Sequence, residues 1–408
     1  MTDSTAAPIA HAEHAEARRN AIVLAVSSAI AGSSPPIAIT LGGLAGLYLL
    51  GADKSLATLP ISGFNLGVAL GAIPAAMLMR AVGRRLGFMT GSLAGITGGI
   101  VAGLAVIYGL FGGLVAGFLL VGVAAAFAQQ FRFAAADSGD AAFRARAISW
   151  VMLGGVAAAI IGPQTVILTR DLLSPIPFAG AFFAMAVLTS LSLVAISFLG
   201  GQARAAPPKA LLHGGRPLGE IARQPRFIIA VLCGMGSYSL MALVMTAAPL
   251  AMVACGLGED NAALGIQWHV LAMFLPSFFT GTLIARYGVD TIITIGMALL
   301  AACGVVALSG IDLANFWIAL ILLGLGWNFG FIGATAMLTE TYRPEERGRV
   351  QGLNDFLVFG TVAVSSFASG SLFTSVGWHV INFLVFPVVA VCLLGLATAA
   401  ILRRRASG

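Results

Sequence analysis

The longest polar stretch of the chain, "GGQARAAPPKALLHGGRPLGEIARQPR" (200–226), lies at the middle of its 408 residues. On each side of it, apolar stretches of about 20 residues alternate with short polar breaks, and this is the length a helix needs to cross a bilayer. We therefore predict six membrane-spanning helices before the central stretch and six after it. The predicted spans, numbered 1 to 12, are 20–49, 56–79, 87–109, 112–135, 147–169, 178–199, 227–254, 262–285, 290–310, 314–338, 352–374 and 378–402.

The composition excludes a water-soluble surface. Hydrophobic residues make up 59% of the chain and charged residues 9%, with a mean hydropathy of +0.98, whereas soluble domains carry about 25% charged residues. The four cysteines are dispersed and form no C-x-x-C pair, so we expect no metal site. Neither of the two lysines, Lys54 and Lys209, lies in a phosphate-binding loop. We expect an all-α membrane protein that is not an enzyme, has no cofactor and does not hydrolyse ATP.

The placement of basic residues predicts the orientation. If both termini are cytoplasmic, Lys54 and Arg170 are the only ones of the 22 Lys and Arg residues that fall outside, as the positive-inside rule requires. This placement also accounts for the net charge of +6 without a nucleic-acid partner. We predict a multi-pass protein of the plasma (inner) membrane. Its parts are an N-terminal tail (1–19), a six-helix bundle (20–199), a cytoplasmic loop (200–226), a second six-helix bundle (227–402) and a C-terminal tail (403–408).

The two halves of the chain repeat each other. An acid followed by two arginines occurs in the loop after span 4 and recurs, half a chain later, after span 10. Such an internal repeat is typical of secondary transporters. The two sets are Asp137, Arg144 and Arg146, and Glu340, Arg347 and Arg349.

The loops after spans 2 and 8 resemble a motif of the major facilitator superfamily. "AMLMRAVGRR" (76–85) keeps one motif glycine and two arginines, and "GTLIARYGVD" (281–290) keeps two glycines and one arginine, although Arg80 stands where the family has an aspartate. The resemblance implies two pseudo-symmetric six-helix bundles that alternate between outward-open and inward-open states, in a protein that works as a monomer. The motif residues are Gly83, Arg84 and Arg85 in the first copy, and Arg286, Gly288 and Asp290 in the second.

Together with the repeated acid and arginine sets, these loops predict a ring of charge at the cytoplasmic helix ends. We interpret the ring as a latch that favours the outward-open state, because such charges pair in one state and separate in the other. The alternative is that the arginines only anchor the topology.

The family resemblance places the cargo near mid-depth, between spans 1, 4, 7 and 10, where a wet cavity satisfies polar side chains. Each candidate could instead form a hydrogen bond between helices. The candidates are Ser33, Ser34, Gln129, Gln130, Tyr238, Trp327 and Asn328, with Asn65, Gln164 and His269 on neighbouring spans.

Span 1 is interrupted by "IAGSSPPIAIT" (30–40). We predict that Pro35 and Pro36 kink this helix, because proline removes a backbone donor and clashes with the preceding turn. The kink would free carbonyl groups near residues 31 and 32 for cavity water or cargo, and Ser33 and Ser34 would line the site.

The cargo is expected to be neutral, because the sequence places no acid, lysine or arginine at mid-depth. Amides, hydroxyls and aromatic faces suit a partly aromatic or polyhydroxylated small molecule. The stretches 131–149 and 342–360 also resemble a proteobacterial group that includes riboflavin transporters, which makes riboflavin the specific candidate. A nucleoside, a sugar or a neutral drug fits the same chemistry.

His269 is the titratable side chain placed deepest in a predicted span, and it is the candidate for proton coupling. A structural imidazole and an uncoupled carrier are the alternatives, so protons remain a candidate partner. We favour an importer over a drug or metabolite efflux antiporter, and over a transport-dead sensor or scaffold.

Overall fold

A computed structural model of the chain describes residues 6–51, 54–136, 141–200 and 215–406. Within these ranges the regular elements are helical. The longer helices are α1 (Ala6–Ala31), α2 (Ser34–Leu50), α3 (Leu59–Val82), α4 (Arg84–Ile107), α5 (Phe111–Ala128), α6 (Phe131–Ala136), α7 (Ala141–Thr169), α8 (Ala179–Ser197), α9 (Leu218–Ala222), α10 (Pro225–Ala254), α11 (Glu259–Phe274), α12 (Ser277–Tyr287), α13 (Val289–Ser309), α14 (Leu313–Thr339), α15 (Arg347–Phe383) and α16 (Val385–Ala406).

The helices account for the twelve predicted spans. Ten helical segments of the described residues are long and apolar enough to cross a membrane, and an eleventh forms if α11 and α12, bent by 42° at their break, count as one span. The last segment, Arg349–Ile401, has 53 residues, whereas one crossing needs about 20. It is interrupted at Gly377, whose φ of 79° and ψ of −179° are not helical. It therefore supplies spans 11 and 12.

The chain divides into two compact units: Met1–Ala45 with Leu66–Ala206, and Gly46–Asn65 with Pro207–Gly408. In the first unit α4 packs against α5 and α8, and α1 packs against α7. In the second unit α13 packs against α14 and α16, and α10 packs against α15. These are corresponding pairs of spans in the two halves, so the repeat in the sequence is also a repeat in helix packing.

Glycines allow corresponding helices to approach closely in both units. A Cβ atom on Gly117 of α5 would lie 2.8 Å from the carbonyl oxygen of Gly98 of α4. A Cβ atom on Gly296 of α13 would lie 2.8 Å from the Cα atom of Gly330 of α14. Backbone contact through small residues is the usual packing mode in lipid, where apolar burial does not favour one partner over another.

The interruption of span 1 differs from the predicted kink. Gly32 and Ser33 separate α1 from α2, so the break lies before the two prolines. The Ser33 hydroxyl donates to the carbonyl oxygen of Ile30 at 2.6 Å. Pro35 and Pro36 occupy the first turn of α2, where backbone N–H groups have no partner within the helix. The prolines therefore begin a new helix rather than bend a continuous one.

Candidate functional site

Four aromatic side chains of the second unit form a cluster, which we call the aromatic cluster: Tyr238 of α10, Trp327 and Phe331 of α14, and Phe359 of α15. The Tyr238 ring stands edge-on to the other three, with centroid distances of 5.4 Å to Trp327, 5.0 Å to Phe331 and 5.7 Å to Phe359. Trp327 and Phe331 are stacked at 5.2 Å with an interplanar angle of 20°. Three helices thus bring flat ring faces to one place.

The aromatic cluster lies near mid-depth of its helices. Tyr238 is 13 residues from the start of α10, Trp327 is 12 residues from the end of α14, and Phe359 is 12 residues from the start of α15. With a rise of 1.5 Å per residue, each lies about 18–20 Å from that helix end. The hydrocarbon core is about 30 Å thick, so the rings occupy the depth at which such transporters hold cargo.

The sequence predicted Tyr238 and Trp327 as site residues but missed Phe331 and Phe359. A signal for Phe331 was present, because it follows Trp327 by four residues and so shares its helix face. No pattern in the sequence indicated that α15 contributes Phe359, since that contact depends on how α15 packs against α10.

Trp327 is only 8% exposed, whereas Tyr238, Phe331 and Phe359 are half-buried. The indole Nε1 atom of Trp327 is buried and has no hydrogen-bond partner within the described ranges. The aromatic cluster therefore combines partly accessible ring faces with a neutral donor, and it can hold a flat, uncharged molecule.

Asn328 is fully buried and spans the break between α11 and α12. Its Nδ2 atom donates to the carbonyl oxygen of Met273 at 2.6 Å and to the Ser277 hydroxyl at 2.7 Å. Its Oδ1 atom accepts a hydrogen bond from the Thr280 hydroxyl at 2.7 Å. Pro276 has no N–H, so the helix leaves carbonyl groups unpaired at this break. The sequence predicted Asn328 as a cargo ligand, but in the structure its amide forms hydrogen bonds with groups on both sides of this break. We call this arrangement the Asn328 clamp.

His269 is fully buried between α11 and α14. Its Nδ1 atom lies 2.8 Å from the carbonyl oxygen of Leu320, and since a carbonyl only accepts, Nδ1 carries the proton. The Nε2 atom is buried and has no partner in the described part of the chain. Gly324 allows α14 to approach α11 closely here, because a Cβ atom at this position would lie 2.5 Å from the carbonyl oxygen of His269.

Ser33 and Ser34 of the first unit are buried at the break between α1 and α2. Ser34 lines a cavity of about 20 Å³ together with Ser92 of α4 and Thr189 of α8. This volume holds about one water molecule.

The remaining predicted cargo residues are more open. Gln129 is exposed and Gln130 half-buried, and both lie in the turn that separates α5 from α6. Span 4 was predicted as continuous, so this turn is a difference from the prediction. Gln164 of α7 and Asn65 of α3 are half-buried.

Charged side chains join the ends of three helices in the second unit, on the side that the sequence predicts to be cytoplasmic. The Nε atom of Arg226, at the start of α10, donates to Oε2 of Glu340, at the end of α14, at 2.9 Å. The Nη2 atom of Arg226 lies 2.7 Å from the same oxygen. The same guanidinium pairs with Asp290 in the first turn of α13. The sequence singled out both acids but not Arg226, because the arginine lies at a distant position in the chain.

The other predicted latch residues are placed as follows. The Nε atom of Arg347 faces the Gln351 side chain at 3.4 Å. Arg146 is exposed near the start of α7. Arg349 is exposed in the first turn of α15. Asp137 and the side chain of Arg144 lie outside the described residues.

The motif glycines adopt matching backbone conformations. Gly83 has φ 88° and ψ 163° directly before α4, and Gly288 has φ 85° and ψ 150° directly before α13. Positive φ favours glycine, so both copies use it to turn sharply between two spans. Arg84 and Arg85 begin α4. Arg286 lies over the Tyr287 ring at 5.2 Å.

A second charged site, missed by the sequence analysis, surrounds Glu346. Its buried carboxylate accepts four hydrogen bonds: from the backbone N–H, Nε and terminal nitrogen of Arg216, and from the backbone N–H of Arg343. Arg216 also donates to the carbonyl oxygen of Thr341 at 3.0 Å. The Arg216 side chain and the Arg343 N–H hold the pKa of Glu346 well below its usual range. This clamp ties the residues before α9 to the loop between α14 and α15.

Comparisons with known proteins agree with the predicted family. The sequence profile of the Major Facilitator Superfamily matches residues 237–408. The riboflavin transporter RfnT of Brucella anthropi is 52% identical over 396 residues, which cover 97% of each chain. The uncharacterized MFS-type transporter YddS of Bacillus subtilis is 29% identical over 390 residues, which cover 90% of this chain and 89% of YddS. The chain belongs to the major facilitator superfamily.

Solved structures of transporters share the fold. A mutant form of the nucleoside transporter NupG superposes with a TM-score of 0.72, over 93% of this chain and 99% of its own. The POT family transporter PepTSo superposes with a TM-score of 0.73, over 95% of this chain and 98% of its own. Both are 12% identical in sequence, so they support the fold alone.

The Asn328 clamp predicts a large stability loss on truncation. Asn328→Ala removes three hydrogen bonds, including the one to the Met273 carbonyl, whereas the Thr280 hydroxyl keeps the Pro276 carbonyl as a partner. A buried group left unpaired costs about 1–3 kcal/mol. We expect a lower midpoint of thermal unfolding in detergent. Thr335→Ala, at an exposed position of the same helix, should leave the midpoint nearly unchanged. Equal midpoints for Asn328→Ala and wild type would contradict the clamp.

The Glu346 clamp predicts a pH dependence. Because its folded pKa is depressed, the carboxylate stabilises the fold fully above its unfolded pKa of about 4.3 and loses this contribution as pH falls further. Thermal midpoints measured from pH 6 to pH 3 should fall less steeply for Glu346→Gln than for wild type. Glu220→Gln, on the exposed side of α9, serves as the control and should keep the wild-type slope.

Proposed function

We propose that this protein imports riboflavin across the plasma membrane by alternating access, without chemical change to the cargo. The observation that carries the proposal is the aromatic cluster at mid-depth in a chain 52% identical to a riboflavin transporter. A flavin is a flat ring system with a polyhydroxylated tail. Stacking on aromatic faces suits the ring, and neutral polar groups suit the tail.

The proposed site for cargo in the second unit consists of Tyr238, Trp327, Phe331 and Phe359. These rings and the indole donor are uncharged, which matches a neutral cargo and disfavours a carboxylate or phosphate, since those anions are usually bound by arginine or lysine. We also propose that Ser33 and Ser34, at the break between α1 and α2, contact the cargo.

We further propose that the carrier works as a monomer with both termini in the cytoplasm. The bundles 20–199 and 227–402 would be its two moving bodies, joined by 200–226. The distribution of lysine and arginine supports this orientation. For His269 we propose a structural role, because its ring is fully buried and bonded to the Leu320 carbonyl. On this proposal, protons do not pass through His269.

Uptake of labelled riboflavin into cells that lack their own transporter tests the proposal. Expression of the wild-type chain should produce saturable uptake. Tyr238→Ala removes the ring that contacts the other three and should raise the KM about 2- to 10-fold, since aromatic contacts contribute about 0.5–1.5 kcal/mol beyond burial. Tyr108→Ala, which removes a ring that is 70% exposed at the end of α4, should leave the KM unchanged.

A repeat of the assay with an uncoupler and with His269→Gln separates the coupling alternatives. We expect His269→Gln to keep the wild-type response to the uncoupler, whatever that response is. Absence of riboflavin uptake together with drug resistance on expression would instead support the efflux alternative.

We propose that Glu340 helps hold the outward-open state, through the Arg226 guanidinium that it shares with Asp290. Glu340→Gln should loosen the inner end of α14 and favour the inward-open state up to about fivefold, the range for a partly exposed ion pair. A cysteine at Ala242, a buried neighbour of the aromatic cluster, reports access from the inner side. Its labelling in inside-out vesicles should become faster in Glu340→Gln.

Glu345→Gln is the control for that experiment, because Glu345 is outside the shared contact with Arg226. The native Cys255, which is exposed at the opposite end of α10, gives the reference labelling rate in detergent-solubilised protein, where both faces are accessible. Unchanged labelling at position 242 would leave Glu340 with a purely structural or topological role and would contradict the latch.

A further inference from the structure

The buried indole donor of Trp327 is the feature that the proposed stacking does not explain. Its Nε1 atom is shielded from solvent and lacks a hydrogen-bond partner among the described residues. A donor removed from water without a partner destabilises the conformation that holds it. Native structures satisfy nearly all such groups, so an unpaired one calls for a specific reason.

The position of this donor is fixed from several sides. One face of the indole stacks on Phe331, and its neighbour Tyr238 meets it edge-on at an interplanar angle of 87°. The next residue, Asn328, is held by three hydrogen bonds across the break between α11 and α12. Both N–H donors of Asn328 are engaged in this clamp. The adjacent Trp327 therefore supplies the donor that has no partner within the described residues.

We propose that the Nε1–H of Trp327 determines specificity by donating a hydrogen bond to an acceptor on a flat, conjugated cargo. This inference rests on the proposed function and narrows its cargo class. The acceptor would be a ring carbonyl oxygen or ring nitrogen that lies in the plane of the cargo. Rings without such an acceptor can stack on the aromatic cluster but leave the donor unpaired, and so they bind less well than flavin-like rings.

The removal of the single N–H group tests the proposal. Trp327→Phe keeps an aromatic ring and removes the donor. Riboflavin binding to the purified full-length protein in detergent is followed by quenching of flavin fluorescence. We expect the Kd for riboflavin to rise about tenfold, the effect of one lost hydrogen bond of about 1.4 kcal/mol. Anthracene, a flat tricyclic ring with neither a carbonyl group nor a ring nitrogen, competes for the site, and its affinity should change less than that of riboflavin.

Replacement of Trp327 by β-(3-benzothienyl)alanine keeps the indole shape and replaces the N–H by sulfur, so it avoids the change in ring size and any folding defect of Trp327→Phe. The flavin Kd should again rise about tenfold. Trp378→Phe is the matched control, since the Trp378 Nε1 atom is also buried and unpartnered in the described chain but its ring packs on Phe316, outside the aromatic cluster. This variant should bind riboflavin as the wild type does.

Two outcomes would overturn the inference. One is an unchanged flavin Kd in both position-327 variants, and the other is an equal loss of flavin and anthracene affinity, which would assign the effect to ring shape alone. If the wild-type protein does not bind riboflavin at all, the proposed cargo fails instead, so the two failures are distinguishable.

Discussion

Every backbone N–H and carbonyl group inside the hydrocarbon must find a partner within the protein, because no water is available there. This constraint explains the helical architecture of the described residues and also what happens where helices break. At the break between α11 and α12, the Asn328 amide satisfies the Met273 carbonyl. At the break between α1 and α2, the Ser33 hydroxyl satisfies the Ile30 carbonyl. The polar side chains at these two breaks therefore form hydrogen bonds with backbone carbonyl groups.

The same constraint sorts the polar residues of the second unit by role. Asn328 and the Nδ1 atom of His269 are engaged with carbonyl groups, so they hold α11 and α12 against α14. Trp327 lies beside Asn328 and keeps an unpaired donor within the aromatic cluster. Of the three helices that carry the rings, α14 is thus held by hydrogen bonds that do not involve the aromatic cluster.

At the helix ends that carry Arg226 and Glu340, charge pairs join the helices. Arg226 joins α10, α13 and α14 through Glu340 and Asp290, and the Glu346 carboxylate joins the residues before α9 to the loop after α14. Glu340 and Asp290 were recognised from the repeated loops, but their partner was not, because a sequence repeat does not state which arginine lies nearest in space. Glu346 was missed because nothing in its local sequence distinguishes it from the neighbouring Glu345.

The sequence by itself determined the helical membrane class and the family, and it predicted the spans with approximate bounds and the two repeated halves, because hydrophobic length, basic residues and loop motifs are local properties of the chain. It also predicted Tyr238 and Trp327. Only the tertiary structure decided that Phe331 and Phe359 complete the aromatic cluster, that Asn328 serves the backbone, and that the break in span 1 precedes its prolines. These features depend on which helices pack together and which carbonyl groups each break leaves unpaired, and no local pattern specifies either.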